Sequence, residues 1–211
     1  MTIHIGLDLS LVSPGVCILD THTGLWSLYG FAQRVREQRF TALLDSGTSV
    51  ILLPSIPGTS NEERYEHIRH HIVDKIMATY ATVSDVIVGI ECYAFGAKNS
   101  GNSYKLQELG GVIKHSIWRT YPHWRRDIIP PSQWKKKVLG KGNAVKAEVV
   151  AYVEAHGPCV SLFDLLGLVP AKNGNIPCPV QDIADAICIC LSTTLPTTTT
   201  KSKKRRRHVE I

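Results

Sequence analysis

Ile3-His4-Ile5-Gly6-Leu7-Asp8-Leu9-Ser10, followed by Ser13-Pro14-Gly15 and then Val16-Cys17-Ile18-Leu19-Asp20, decides how this 211-residue chain is read. Residues 3–9 and 15–20 are two short, β-rich strands, and Ser13-Pro14-Gly15 has the composition of a turn, so the chain opens as a hairpin. Asp8 is out of place in it. A charged group is rarely buried without a partner, because desolvating an isolated carboxylate costs several kcal/mol or more.

The same reading extends outward from the hairpin. Residues 25–31 fit a third strand, whereas 32–58 mixes helical and extended signals and yields no assignment. Ser60-Asn61-Glu62-Glu63 is a capping box, and Tyr65, Ile68, Ile72, Ile76 and Tyr80 follow at helical spacing, which predicts a helix of about five turns. Residues 85–91 form an apolar run of the kind covered on both faces, and it ends in Glu91. A Gly/Asn/Ser loop follows over 92–103. Leu106, Leu109, Ile113 and Ile117 then place a stripe on a helix over about 103–120, where Gly110-Gly111 permits close approach of another helix. A short strand at 125–129, a basic helix at 131–139, a helix capped by Asn143 and running to about 156, a Gly/Pro/Asn-rich insertion at 157–180 and a final helix from about Gln181 complete the order. Strands first, then helices alternating with strands, predicts an α/β fold: a mixed central β-sheet flanked by α-helices over residues 1–195. The remaining basic stretch, 196–211, has too few apolar groups to offset chain entropy and is expected to be disordered.

Charge is unevenly distributed. Residues 1–97 carry a balance of −4, residues 98–146 carry +9, residues 147–200 carry −4 and the last eleven carry +5, giving the net +6. A local excess of nine positive charges is stable beside a polyanion or nearby carboxylates, and nucleic acid is the expected partner. The longest apolar stretches are far shorter than the ~20 residues of a membrane helix. No basic segment precedes the first strand, and the six cysteines contain no C-x-x-C pair. The expectation is an intracellular, non-membrane protein with reduced core thiols, not a secreted one. Lys203-Lys204-Arg205-Arg206-Arg207 reads equally as a nuclear address or a phosphate-binding arm.

Four carboxylates stand where apolar residues belong: Asp8 in a strand, Glu91 at the end of a buried one, and Asp182 and Asp185 in the first turn of an apolar helix. The i, i+3 spacing sets the last two on one helical face near the positive end of the helix dipole, which accounts for them as a cap. It does not account for Asp8 and Glu91. If all four converge, their repulsion demands divalent cations, and hard oxygen ligands select Mg²⁺ or Mn²⁺. His67 and His71, at i, i+4, have zinc-ligand spacing, but Glu63 and Glu66 beside them favour a polar helix face. Trp118, Trp124 and Trp134 read as core or interface anchors rather than base-stacking platforms.

These positions resemble the RuvC-type Holliday junction resolvases of the RNase H-like (retroviral integrase) superfamily. Ile5-Gly6-Leu7-Asp8 with Ser13-Pro14-Gly15 is similar to that family's first strand, aspartate and turn, Val88-Gly89-Ile90-Glu91 to its second acid, and Asp182-Ile183-Ala184-Asp185-Ala186 to its closing pair. Phe95-Gly96-Ala97-Lys98-Asn99 resembles the loop whose aromatic side chain wedges into the junction. Alignment on Ala97-Lys98-Asn99 gives that place to Phe95, whereas counting from Glu91 leaves Tyr93 as its competitor. Lys135-Lys136-Lys137 through Lys141 to Lys146 resembles the family's basic segment, with Lys135 and Lys146 at its matching lysines.

The resemblance implies an RNase H-like fold and a Mg²⁺-dependent endonuclease that cuts four-way DNA junctions by paired nicks, with Mn²⁺ able to substitute. Asp8, Glu91, Asp182 and Asp185 would hold two ions, with Lys146 catalytic beside them. Tyr93, Phe95, Lys98, Asn99, Lys105, Lys135, Lys136, Lys137, Lys141 and Lys146 would contact DNA. A homodimer is implied, with the helix around Gly110 as its contact. Three other readings compete: a nuclease of the same fold acting on flaps, other branched DNA or RNA; a noncatalytic DNA-binding or packaging protein; and an actin-like ATPase, for which 211 residues is short.

Overall fold

Alternation along β1 (Ile3–Asp8) sorts its side chains onto two faces and thereby sets the layers of the molecule. Ile3, Ile5 and Leu7 enter one hydrophobic cluster, whereas His4, Gly6 and Asp8 look the other way. The computed structural model describes residues 1–32, 39–43 (backbone only), 49–54, 60–92, 103–158, 161–168 and 175–196. The described residues form seven strands: β1, β2 (Gly15–Asp20), β3 (Trp26–Ala32), β4 (Arg39–Leu43), β5 (Ser49–Pro54), β6 (Val86–Glu91) and β7 (Arg125–Ile129). They form one mixed sheet in the order β4-β5-β3-β2-β1-β6-β7. β1 pairs antiparallel with β2 and parallel with β6, and β6 pairs parallel with β7.

One layer consists of α1 (Asn61–Arg69) and α2 (Ser103–Thr120). The predicted capping box is present: Ser60 Oγ accepts from the Glu63 N–H at 3.2 Å and the Glu63 carboxylate accepts from the Ser60 N–H at 3.0 Å. The helix predicted over five turns is continuous but not uniform, passing into a π-helical stretch at His70–Ile76 and a 3₁₀ turn at Met77–Tyr80. The widened turn keeps Ile72, Val73 and Ile76 all buried. His67 and His71 do not form a merely polar face. His67 Nε2 bonds the Pro54 carbonyl at 2.7 Å, His71 Nδ1 bonds the His67 carbonyl at 2.9 Å, and Phe31 lies edge-on to both rings. On α2, Gly110 is buried, while Gly111 faces open space.

The other layer holds α3 (Pro131–Leu139), α4 (Lys146–His156), α5 (Leu162–Leu166) and α6 (Val180–Thr194). α6 is buried almost all round, with Ile183, Ala184, Ala186, Ile187, Cys188, Ile189 and Cys190 inaccessible. It is the central helix between the sheet and the outer helices. It can lie flat on β1 because Gly6 has no side chain: a Cβ there would collide with the Ala186 carbonyl and Cys190. Gly15 on β2 does the same at the helix start, directly under the Asp182 carbonyl.

Three expectations need correction. Asn143 does not cap α4. The N-cap is Val145, whose N–H donates to the Glu148 carboxylate at 2.9 Å, so the reaching acid at the third helical position does the work of a capping side chain. Asp185 falls in the second turn of α6, because the helix starts at Val180. The 157–180 insertion is not all loop, since it contains α5. The unassigned 32–58 stretch supplies β4 and β5, which extend the sheet beyond β3. Val50 and Leu52 on that extension, with Leu28 of β3, share a core cluster with Leu162 and Leu166 of α5.

If the bare strand surface seats α6, Gly6→Ala should cost ~3 kcal/mol, the upper end of what overpacking costs, and a thermal melt should show it. A melt within a degree or two of wild type would mean that α6 is not held by that contact.

Candidate functional site

Parallel pairing of β1 with β6 aligns Leu7 with Ile90, so Asp8 and Glu91 stand one step further on, at the ends of neighbouring strands. Both occupy the α6 face of the sheet, because each follows by two residues a glycine on that face, Gly6 or Gly89. α6, seated on those glycines, brings Asp182 and Asp185 over the same spot. The four carboxylates expected to converge from sequence do so. Asp8 is only 9% exposed, and its carboxyl is held well above the usual carboxylate range by burial first, then by the neighbouring Glu91 carboxylate, and by Asp185 and Asp182. Asp185 is pushed up to about 7 by burial and Glu91. Asp182, 8% exposed, is raised by burial, partly offset by its hydrogen bonds from Ser13 and Cys178.

Each acid on the far side of Asp8 has a neutral donor. Ser13 Oγ donates to Asp182 Oδ2 at 2.7 Å, Trp134 Nε1 to Glu91 Oε1 at 3.4 Å, and Gln181 Nε2 to Asp185 Oδ2 at 3.4 Å. Sequence reasoning assigned no site role to Ser13, Trp134, Gln181 or Cys178. Ser13 was legible as a turn residue and Trp134 as a core anchor, and nothing local marks their second task. Two lysines are near: Lys146, exposed at the N-terminus of α4, acts on Asp182, and Lys135 on α3 acts on Asp185. The Lys135 ammonium also donates to the Ala144 carbonyl at 3.0 Å and lies 5.3 Å from the centre of the Trp134 ring.

The other basic candidates separate. Lys136 is exposed on α3. Lys137 is not a free surface cation: its ammonium donates to the carbonyls of Ser192 and Leu195 at 2.6 and 2.8 Å, closing the C-terminus of α6, and burial lowers its pKa. That is a helix-capping position rather than the DNA contact expected of it. Lys141 is ion-paired with Glu148. Lys105 lies in the α2 layer, 5.8 Å from the centre of the Tyr104 ring. Tyr93, Phe95, Lys98 and Asn99 lie outside the described residues, as does the basic tail.

The overall architecture is similar to that of known structures. The chain aligns with the structure of Thermus thermophilus RuvC at 18% identity and a TM-score of 0.52, covering 92% of this chain and 93% of that one. It aligns with T. thermophilus RuvC in complex with Holliday junction substrate at 16% identity and a TM-score of 0.53, with the same coverage. The fold is that of RuvC. No protein-family model and no curated protein matches the sequence. The likeness to RuvC therefore rests on architecture, and it makes the fold α/β and RNase H-like, as the resemblance implied. Among the described residues, no helix is long and apolar enough to cross a membrane.

The donor set suits a hard divalent cation, being four carboxylates with two of them nearly inaccessible to water. Among the described residues, no three His, Cys, Asp or Glu side chains are already drawn together tightly enough to hold one ion. The fit therefore lies in ligand chemistry and charge rather than in a finished cage.

Raised carboxyl pKa values carry a sign. For Asp185 the neutral form is favoured in the folded state, so its contribution is fully present below its unfolded value of 3.8 and is lost as pH rises through about 7. In EDTA, the melting temperature should fall between about pH 4 and pH 7 (the interval between the unfolded and folded values of Asp185) and level off above it, and Asp185→Asn should flatten that fall and stabilise the protein by on the order of 1–3 kcal/mol at pH 8. An Asp185→Asn variant no more stable than wild type at pH 8 would contradict the crowding of these acids.

Proposed function

We propose that the chain is a divalent-metal-dependent, structure-selective DNA endonuclease that cuts four-way junctions by paired, symmetric nicks. The observation that carries it is the meeting of Asp8, Glu91, Asp182 and Asp185 at the strand ends under α6, with Lys135 and Lys146 beside them. Support also comes from the shared architecture with a RuvC structure that contains a Holliday junction substrate.

Asp8, Glu91, Asp182 and Asp185 would hold two Mg²⁺ ions, with Mn²⁺ as a substitute. When bound, the ions supply the positive charge that activates a water for attack on phosphorus and stabilises the departing 3′ oxygen. The chain itself contributes the rest. Lys146, exposed beside Asp182, offers its ammonium to a non-bridging phosphate oxygen, and Lys135 balances charge near Asp185. Buried walls on both sides, β1 and α6, keep bulk water from screening these charges. Lys136 and Lys105 provide phosphate contacts that position a branched duplex, and the 93–99 segment would supply the wedge residue, Tyr93 or Phe95. The 1–195 segment is the catalytic unit and 196–211 an accessory basic arm.

Paired nicking needs two centres, and α2 offers a self-complementary face for a homodimer. Tyr104, Gly111 and Trp118 recur every seven residues on its outer side. Both aromatics are more than half exposed, and Gly111 has open space above it. Gly111 lies midway between them, so a two-fold axis there sets one copy's Tyr104 beside the other's Trp118.

Asp8→Asn should abolish Mg²⁺-dependent cleavage of a synthetic four-way junction while leaving junction binding intact, and Lys146→Ala should slow cleavage by ~10²-fold. Flaps and linear duplexes run in parallel should be cut less well, and full activity of Asp8→Asn would remove that acid from the chemistry. Binding should weaken with salt by a log–log slope of about −0.9 per phosphate contacted; a flat response would sink the basic-face reading. For the dimer, Trp118→Glu should give a monomer in sedimentation and convert paired nicks into single ones. A Trp118→Glu dimer of wild-type affinity would exclude α2 as the interface.

A further inference from the structure

We infer that Ser13 is a positioning residue for Asp182, tying the turn that follows Asp8 to the helix that carries the other acids. The inference rests on the metal-site reading above and names a group that reading does not use. Ser13 is 2% exposed, and its hydroxyl donates to Asp182 Oδ2 at 2.7 Å across 169 residues of sequence. Its own place is fixed from the turn: the Ser10 hydroxyl accepts from the N–H groups of Val12 and Ser13 at 3.3 Å each. Two residues further on, Gly15 lets the Asp182 backbone press directly onto β2. Asp182 is therefore gripped at both its backbone and its side chain by the segment between Asp8 and β2.

The chemistry of that grip matters. A hydroxyl donor occupies a lone pair on one carboxylate oxygen and, together with the hydrogen bond from Cys178, fixes the plane of the group. Being neutral, it does so without competing with a cation for the site's negative charge, as a lysine at the same spot would. Groups that orient metal-binding carboxylates typically change metal affinity or activity by 10–100-fold when removed.

The test uses the full chain and Mn²⁺ as the probe, with free Mn²⁺ read by electron paramagnetic resonance, metal-free melting in EDTA and junction cleavage measured on the same preparations. Ser13→Ala should weaken Mn²⁺ binding by ~10–100-fold, raise the metal concentration for half-maximal cleavage to match, and leave cleavage at saturating metal nearly restored. Ser13→Thr, which keeps the hydroxyl, should recover most of the affinity. If Ser13→Ala does not fold, Ser13→Cys keeps the volume with a weaker donor and should still lose about 10-fold. Wild-type Mn²⁺ affinity in a folded Ser13→Ala or Ser13→Cys overturns the inference, even if the metal-free melting temperature drops, because that is what a merely structural hydroxyl would do. Absence of Mn²⁺ binding and cleavage in the wild-type chain overturns the metal-site reading itself.

Discussion

A helix can press its own backbone onto a sheet only where the strands beneath it carry no side chains, and the acidic site depends on that contact. Gly6 and Gly15 bring the backbone of α6 against β1 and β2. Closer approach than two layers of side chains permit is what carries Asp182 to Asp8. The cost is a strip of sheet with no apolar side chain to bury. It is offset by the helix itself, whose residues are buried nearly all round between the sheet and α3, α4 and α5. Stability and site are products of the same packing.

The price of gathering like charges shows in the raised carboxyl pKa values of Asp8, Asp182 and Asp185. The surrounding groups are arranged to hold these acids rather than to neutralise them. Ser13, Trp134 and Gln181 are neutral donors, and the nearest lysines act on the acids without a direct hydrogen bond among those described. The basic middle of the chain is accordingly divided. Lys137 closes the end of α6 and Lys141 pairs with Glu148, so part of the charge that reads as a nucleic-acid face is spent on internal helix ends. Lys135, Lys136 and Lys146 remain on the side where a phosphate backbone would lie.

The sheet is wider than its first strands require. β5 pairs parallel with β3, and β4 closes the edge antiparallel to β5. On the α6 side, Leu28, Val50 and Leu52 share a core with Leu162 and Leu166 of α5. The two stretches that defied assignment in sequence, 32–58 and 157–180, thus explain one another. Added strands expose apolar surface, and a short helix from a distant insertion covers it. Neither pattern is interpretable alone, because each is the partner that gives the other its apolar face.

The β-rich composition of β1, the apolar run of β6, the Ser60 capping box, the α2 stripe and the basic α3 are set by neighbours within a few residues, and the sequence by itself determined them, together with the α/β class. It also marked Asp8, Glu91, Asp182 and Asp185 as misplaced, because burial cost is a property of residue type and local pattern. Only the tertiary structure decided that these acids meet, that Val145 rather than Asn143 begins α4, which lysines are occupied, and that Ser13 and Trp134 reach the site. The reach of Trp134 and Ser13 to the acids depends on contacts between residues 43 and 169 positions apart, whose geometry is set by how α6 seats on the sheet, and no local periodicity encodes that.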